Sequence, residues 1–270
     1  MPNMKNGDFV NDEIVDTNTL SDNSDPLRPD GSLTKKKKSS WIVSVVGVIG
    51  ELILTAGVVF GLFLVWQLVW TDVVAVKEQD QIIQQLEQEW VTPSQIGEKH
   101  TDEPPKIDEV SDGEIYGTVW IPSFSREKFP LAEGVGLEEV LNTKGAGHYP
   151  ETAQVGEKGN FSIAGHRNTY GRPLYEIANL VDGDEIIIET EDTYYVYVFD
   201  SFEITKPSNV EVIAPVPGDT TWDKEPTERY LTFTACHPMY SAQERYIVHA
   251  KLSYWTPRSE GLPPALDGVA

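Results

Sequence analysis

Cysteine is what the chain has least of: one thiol, Cys236, in 270 residues. No intrachain disulfide can form, so a packed core has to hold the fold. Histidine is nearly as scarce, with five residues, which leaves few side chains able to exchange protons near neutral pH. Positive charge is short as well: 21 Lys and Arg stand against 43 Asp and Glu, a formal net charge of -22. That deficit excludes nucleic acid as a partner, because a phosphate backbone is bound by a cationic face. Residues 1–40 are short of large apolar side chains and rich in Asn, Asp, Ser and Pro. They cannot bury enough surface to offset chain entropy and are predicted to be disordered. The chain shows no internal repeat.

What is there begins with a long apolar run, Trp41 to Trp70, which carries one formal charge, Glu51. A bilayer core takes roughly 20 apolar residues, so residues 41–71 read as a transmembrane anchor. A leader this long and polar argues against a cleaved signal peptide. Lys35 to Lys38 on one flank and Asp72, Glu78 and Asp80 on the other place the N-terminus in the cytoplasm and everything after Thr71 outside. Glu51 reads as an interfacial carboxylate, or else as an intramembrane one. Gly57 and Gly61 form a small-xxx-small pair that suits helix packing. Residues 72–90 are rich in Lys, Glu and Gln, with Val76, Ile83, Leu86 and Trp90 near helical spacing; they read as a stalk continuing the anchor helix. Residues 91–114, with Pro93, Pro104 and Pro105 among acidic side chains, read as a linker.

From Ile115 the texture changes to short apolar runs separated by Gly, Pro, Asn and Asp. Runs at 116–121, 160–164, 185–190, 193–204, 230–235 and 246–252 predict an all-β barrel or sandwich over residues 115–256. Weak helical stretches fall at 136–142 and 173–180. The segment 206–227 reads as a long loop, and the Pro-rich tail 257–270 either covers the barrel or leaves it.

The one cysteine sits where two of these runs meet. In 230–235, Tyr230, Thr232 and Thr234 alternate with Leu231, Phe233 and Ala235, and Cys236 ends that strand on its threonine side. A polar turn follows, and Arg245 opens the next strand nine positions on. An antiparallel pair with a short connection would bring thiol and guanidinium to one end of a sheet. Burial as a small hydrophobe is the other reading of a lone cysteine, but an exported thiol left single favours chemistry. Among the histidines, His100 lies in the linker and His249 deep in the last strand. His166 ends the strand 160–164 behind the small pair Ala164 and Gly165, and His148 and His237 stay in reach.

FSIAGHRN, then TFTAC, then an arginine nine residues on, within an exported β domain behind an N-terminal anchor, resembles a sortase. The stretches GHYPETA, AGHRNTYGRPL, CHPMYSAQERYIVHA and the tail SEGLPP resemble class E sortases of actinobacteria. The resemblance covers residues 116–252 and implies a closed sortase-type β-barrel of about eight strands with short helices. It implies Cys236 as nucleophile, His166 as its histidine partner, Arg245 as the third catalytic residue, and no cofactor or metal. The motif departs from the usual T-L-x-T-C, with Phe233 and Ala235 in place of leucine and threonine; Thr232 and Thr234 remain.

The activity so implied is cleavage of a C-terminal sorting signal, Leu-Ala-x-Thr-Gly or Leu-Pro-x-Thr-Gly, after threonine. The acyl group would pass through a thioester to an amine of a peptidoglycan precursor or stem peptide. Partners would be secreted proteins bearing that signal, at the cell membrane with the catalytic domain extracellular. Tyr149 and Thr234 are candidate substrate-binding residues. Three alternatives stand beside this reading. A zinc site on Cys236, His237 and His166 lacks a compact ligand spacing. A non-catalytic wall-binding module would not need Cys, His and Arg together. A pilus-polymerising sortase would carry a lid ahead of its domain, and 91–114 shows no clear lid motif.

Overall fold

The computed structural model describes residues 39–91 and 93–268; residues 1–38 of the expected leader, with its lysine cluster, lie outside them. The described residues fall into two units, divided between Leu54 and Thr55. A single helix, α1 (Ser39–Glu89), runs 51 residues without interruption from the apolar run into the polar stretch expected as a stalk. Its apolar part is exposed along its length and is long and apolar enough to cross a membrane.

Within the second unit, eight strands close into a barrel. They are β1 (Ile115–Trp120), β2 (Lys128–Glu133), β3 (Ala146–His148), β4 (Gly159–Gly165), β5 (Glu185–Thr190), β6 (Thr193–Thr205), β7 (Arg229–His237) and β8 (Glu244–Pro257). Around the barrel they follow the order β1-β2-β3-β4-β7-β8-β6-β5, and β5 pairs back onto β1. Only β2 with β3 and β4 with β7 run parallel. Closure leaves no free sheet edge. Six of the strands coincide with the apolar runs. The two others, β2 and β3, were not separable by pattern: β2 carries Pro130 and β3 is the three residues Ala146–His148.

Period-two alternation fills the interior. Val119, Phe129, Leu131, Phe161, Ile163, Ile186, Ile188, Tyr195, Tyr197, Leu231, Phe233 and Val248 form one core, each with essentially no exposed surface. Each such side chain contributes about 1.5–3 kcal/mol by burial. The tyrosines keep their polar ends satisfied: Tyr195 donates to Pro105 O at 2.8 Å, and Gly156 N–H donates to Tyr197 Oη at 3.0 Å. The threonine face of β7, expected to be half exposed, is buried as well. Thr232 Oγ1 lies 2.7 Å from Asn160 Oδ1, and the Asn160 amide in turn donates to Val212 O and Ala214 O at 3.0 Å. Those bonds tie the long β6–β7 loop to the barrel wall.

The stretch 93–114 holds none of the barrel strands but runs along the barrel. His100 exchanges main-chain bonds with Trp255 at 2.9 Å each way, and Gly97 N–H donates to Leu262 O at 2.8 Å. The contact is close enough to demand glycine: a Cβ on Gly97 would lie 2.7 Å from Thr256 Cγ2. The tail closes the same side, with Leu266 fully buried against Tyr194 and Tyr254.

One buried charge cluster joins this side to α1. The Glu189 carboxylate accepts from Thr118 Oγ1 and Trp120 Nε1 at 2.6 Å each and lies 3.2 Å from Lys128 Nζ and 2.8 Å from Arg258. Lys128 also reaches Glu87, and Arg258 stacks on Trp90. Burial pushes the Glu189 carboxyl up, but Lys128, the two hydrogen bonds and Arg258 outweigh it and hold the group below its ordinary 4.5. A carboxyl depressed in the folded state stabilises the fold above its unfolded pKa and loses that contribution as pH falls through the folded value. The melting temperature is therefore expected to drop as pH is lowered from about 4.5. Glu189→Gln should blunt that acid drop while lowering stability at pH 7. An acid limb unchanged in Glu189→Gln would place the sensitivity elsewhere.

Candidate active site

Strand register assembles the site. In the β7–β8 pair Cys236 stands directly opposite Arg245, and directly paired residues share a face, with Cβ atoms about 4.5–5.5 Å apart. On the other side of β7, the parallel β4 register runs to Ala164 opposite Thr234. β4 ends at Gly165, so His166 follows directly on the end of that strand, on the side of the sheet end where Cys236 lies. Cys236 thus pairs with Arg245 on one neighbouring strand, and His166 follows the end of the other. All three side chains are part exposed, so the site is open to a ligand.

Each flanking group is held by a different device. His166 Nε2 lies 2.8 Å from Asn142 Oδ1. Because an amide oxygen accepts, Nε2 carries the proton and Nδ1 is left as the basic nitrogen. Burial holds the imidazole below its ordinary 6.5, so it is neutral near pH 7 and able to accept a proton. The ring packs at 5.1 Å against Tyr170. Arg245 Nη1 donates to Ala242 O and Glu244 O at 3.0 and 2.9 Å, which folds the guanidinium back over the β7–β8 turn.

Tyr149 and Thr234 are brought together: their hydroxyl oxygens lie 3.0 Å apart. Thr234 is two residues before Cys236 and therefore on its face of β7. Beside them lies an apolar patch of Ala132, Val140, Leu141 and Ala164, against which Tyr149 packs. A floor of this kind, leading along the strand to the thiol, suits an extended peptide.

The other two histidines in reach are placed differently. His237 alternates to the opposite face of β7, and its Nδ1 accepts from Arg167 Nη1 at 2.9 Å. Arg167 is itself buried and lies over the Tyr246 ring. His148, which the sequence leaves in reach, belongs to β3 and is fully buried. Its Nδ1 lies 2.8 Å from Glu133, and its Nε2 contacts Thr152 Oγ1 and Ala153 O. Both nitrogens being occupied, it is a core residue. Asn142, Tyr170 and Arg167 were not singled out from the sequence. Asn142 ends the weak helical stretch 136–142, where only tertiary placement gives its amide a role.

Comparison with known proteins bears on the family and the barrel. A family model described as the sortase domain matches residues 119–253. Sortase SrtE1 of Streptomyces coelicolor is 37% identical over 86% of this chain and 64% of its own length, so the chain spans about two thirds of that relative. Among solved structures, a SrtA sortase from Actinomyces oris aligns with 45% identity and a TM-score of 0.58, covering 62% of this chain and 96% of that one. Sortase E1 of Streptomyces coelicolor, solved with a tripeptide in its active site, aligns with 39% identity and a TM-score of 0.53, covering 58% of this chain and 99% of that one.

Proposed function

Because this chain belongs to the sortase family of cysteine transpeptidases, we propose that Cys236, His166 and Arg245 form a catalytic centre that cleaves a sorting signal between threonine and glycine. The observation that supports the reading is strand register: Cys236 pairs with Arg245 across β7 and β8, and His166 follows the end of β4, which runs parallel to β7 up to Ala164 opposite Thr234. The proton of Cys236 passes to His166 Nδ1, and the thiolate attacks the threonine carbonyl carbon. Arg245, permanently charged, stabilises the oxyanion that forms on the carbonyl oxygen. Collapse breaks the carbon–nitrogen bond, and the His166 imidazolium gives its proton to the departing glycine amine. The thioester that remains is opened by an acceptor amine, whose proton His166 takes while the Cys236 sulfur leaves.

The substrates are secreted proteins carrying Leu-Ala-x-Thr-Gly or Leu-Pro-x-Thr-Gly, and the acceptor is an amine of a peptidoglycan precursor or stem peptide. The apolar part of α1 holds the enzyme in the membrane, with the lysines ahead of it on the cytoplasmic side and the barrel outside. Incubating the protein with the paired peptides and weighing the thioester on Cys236 tests the reaction. A protein that forms no adduct with either peptide would overturn it.

Tyr149 bears on which peptide is preferred. Its hydroxyl, bridged to Thr234, faces a peptide lying toward Cys236 and can bond the main-chain N–H of the residue after leucine. Alanine has that N–H and proline does not. Tyr149→Phe is therefore expected to lower kcat/KM for the Leu-Ala peptide about 5- to 10-fold, the scale of one neutral hydrogen bond, and to leave the Leu-Pro peptide unchanged. Equal losses on both peptides would make Tyr149 a packing residue only.

A further inference from the structure

We infer that α1 is a working part of this catalytic centre: Asp72 and Gln79, just past the apolar run, clamp the loop that carries the ring packed on His166. The inference rests on the role proposed above for His166.

The loop is residues 170–172. All three have left-handed backbone, with φ of 54° at Tyr170, 80° at Gly171 and 47° at Arg172. Two of them are not glycine, and such backbone persists only where the surroundings over-determine it. Here α1 supplies the surroundings. Asp72 Oδ1 accepts from Gly171 N–H at 2.8 Å, and its Oδ2 lies 2.7 Å from Arg172 Nε. One helical stretch further, Gln79 Nε2 donates to Tyr170 O at 3.1 Å. Gln79 Oε1 accepts from Arg126 Nη1 at 2.6 Å, and the same guanidinium nitrogen donates to Gly171 O at 3.2 Å. Every main-chain polar group these bonds use lies between the two ends of the left-handed run.

The packing is as tight as the bonding. Gln79 has no exposed surface, although it lies in the polar stretch of the helix, and a buried amide is tolerated because both its ends are satisfied. A Cβ on Gly171 would fall 2.5 Å from Gln79 Oε1. The tether of an otherwise independent barrel has no need of a fully buried glutamine. What lies behind the clamp is His166, packed against Tyr170 on one side and bonded to Asn142 on the other. Tyr170 and Asn142 also line a cavity of about 270 Å³ together with α1, through Trp70, Val74 and Ala75. Both groups that touch the imidazole thus border the same helix. Asp72 and Gln79 act as positioning residues, through the loop, on the general base.

The test uses the full chain reconstituted in lipid nanodiscs and the sorting-signal peptide. Asp72→Ala with Gln79→Ala should lower kcat about 10- to 100-fold, the cost of displacing a catalytic group by up to about 1 Å, with KM within about twofold. Asp72→Asn, which keeps an oxygen for the Gly171 N–H, should recover most of the loss relative to Asp72→Ala. Glu87→Ala, which removes a contact of the same helix at Lys128, should leave kcat unchanged. Wild-type kcat in the double variant, whatever its melting temperature, would overturn the inference and leave α1 as packing. Should the double variant not fold, Tyr170→Asn decides. Asparagine tolerates the left-handed backbone, so loss of the ring alone must lower kcat at unchanged KM, and a wild-type value overturns the link. A wild-type protein that forms no thioester is a separate outcome: it removes the role of His166 itself.

Discussion

Cys236→Ala is expected to abolish peptide cleavage and the acyl-enzyme mass while leaving the fold intact. Cys236 is part exposed near the end of β7 and takes no part in the barrel core. Its loss should therefore change stability by no more than about 0.5 kcal/mol, as for other substitutions away from cores and networks. The strand around it is held by Leu231 and Phe233 inside and by the Thr232–Asn160 bond outside. The effect on rate is of a different order. Nucleophile and base act as a unit, and removal of a catalytic nucleophile of this kind costs about 10⁶-fold in turnover. Among the described residues no second cysteine and no cluster of metal-binding side chains stands ready to substitute. Activity should likewise be indifferent to EDTA. Full cleavage by Cys236→Ala would sink the enzyme reading, and loss in EDTA with recovery on added zinc would put a metal in its place.

The pairing of Cys236 with Arg245 was legible in the sequence because both are strand residues, and period-two patterns carry register. Thr232 and Thr234 fix the face on which Cys236 lies, and nine residues with one short turn are enough to bring Arg245 opposite it. His166 followed from the strand it ends, although its place beside β7 depends on the parallel β4–β7 pairing, which no local pattern encodes. What stayed hidden is tertiary in origin. β2 and β3 carry too little pattern to be seen, one through Pro130 and the other through Gly147 in a strand of three. The stretch 93–114 is polar and proline-rich, yet main-chain bonds to Trp255 and Leu262 lay it on the barrel, and main-chain bonding leaves no trace in composition. Gln79 and Asp72 read as ordinary stalk residues, because their partners lie 91 and 99 positions away.

Three histidines lie in segments near the thiol, and the largest loss among their alanine variants is expected at His166. His166 follows the end of β4 beside β7 and keeps an Nδ1 left over after its hydrogen bond to Asn142. His166→Ala should lower turnover by at least about 10²-fold, the usual scale for a general acid or base. His237 is adjacent in sequence, but neighbours in a strand point to opposite faces, and its Nδ1 is taken by Arg167; His237→Ala should cost less. His148→Ala works on stability instead, since it removes a buried hydrogen-bond partner of the Glu133 carboxylate and leaves it Gln154. Losing a buried hydrogen-bond partner costs about 1–3 kcal/mol, so rates have to be compared per folded molecule. The pH profile adds a second discriminant. Burial holds His166 below 6.5, and acid protonates the nitrogen that must receive the thiol proton. The acid limb of kcat/KM is therefore expected below that value, and it should vanish in His166→Ala while surviving in the other two variants. If His237→Ala proves the most damaging, or if the acid limb persists without His166, the general base has been placed on the wrong face of β7.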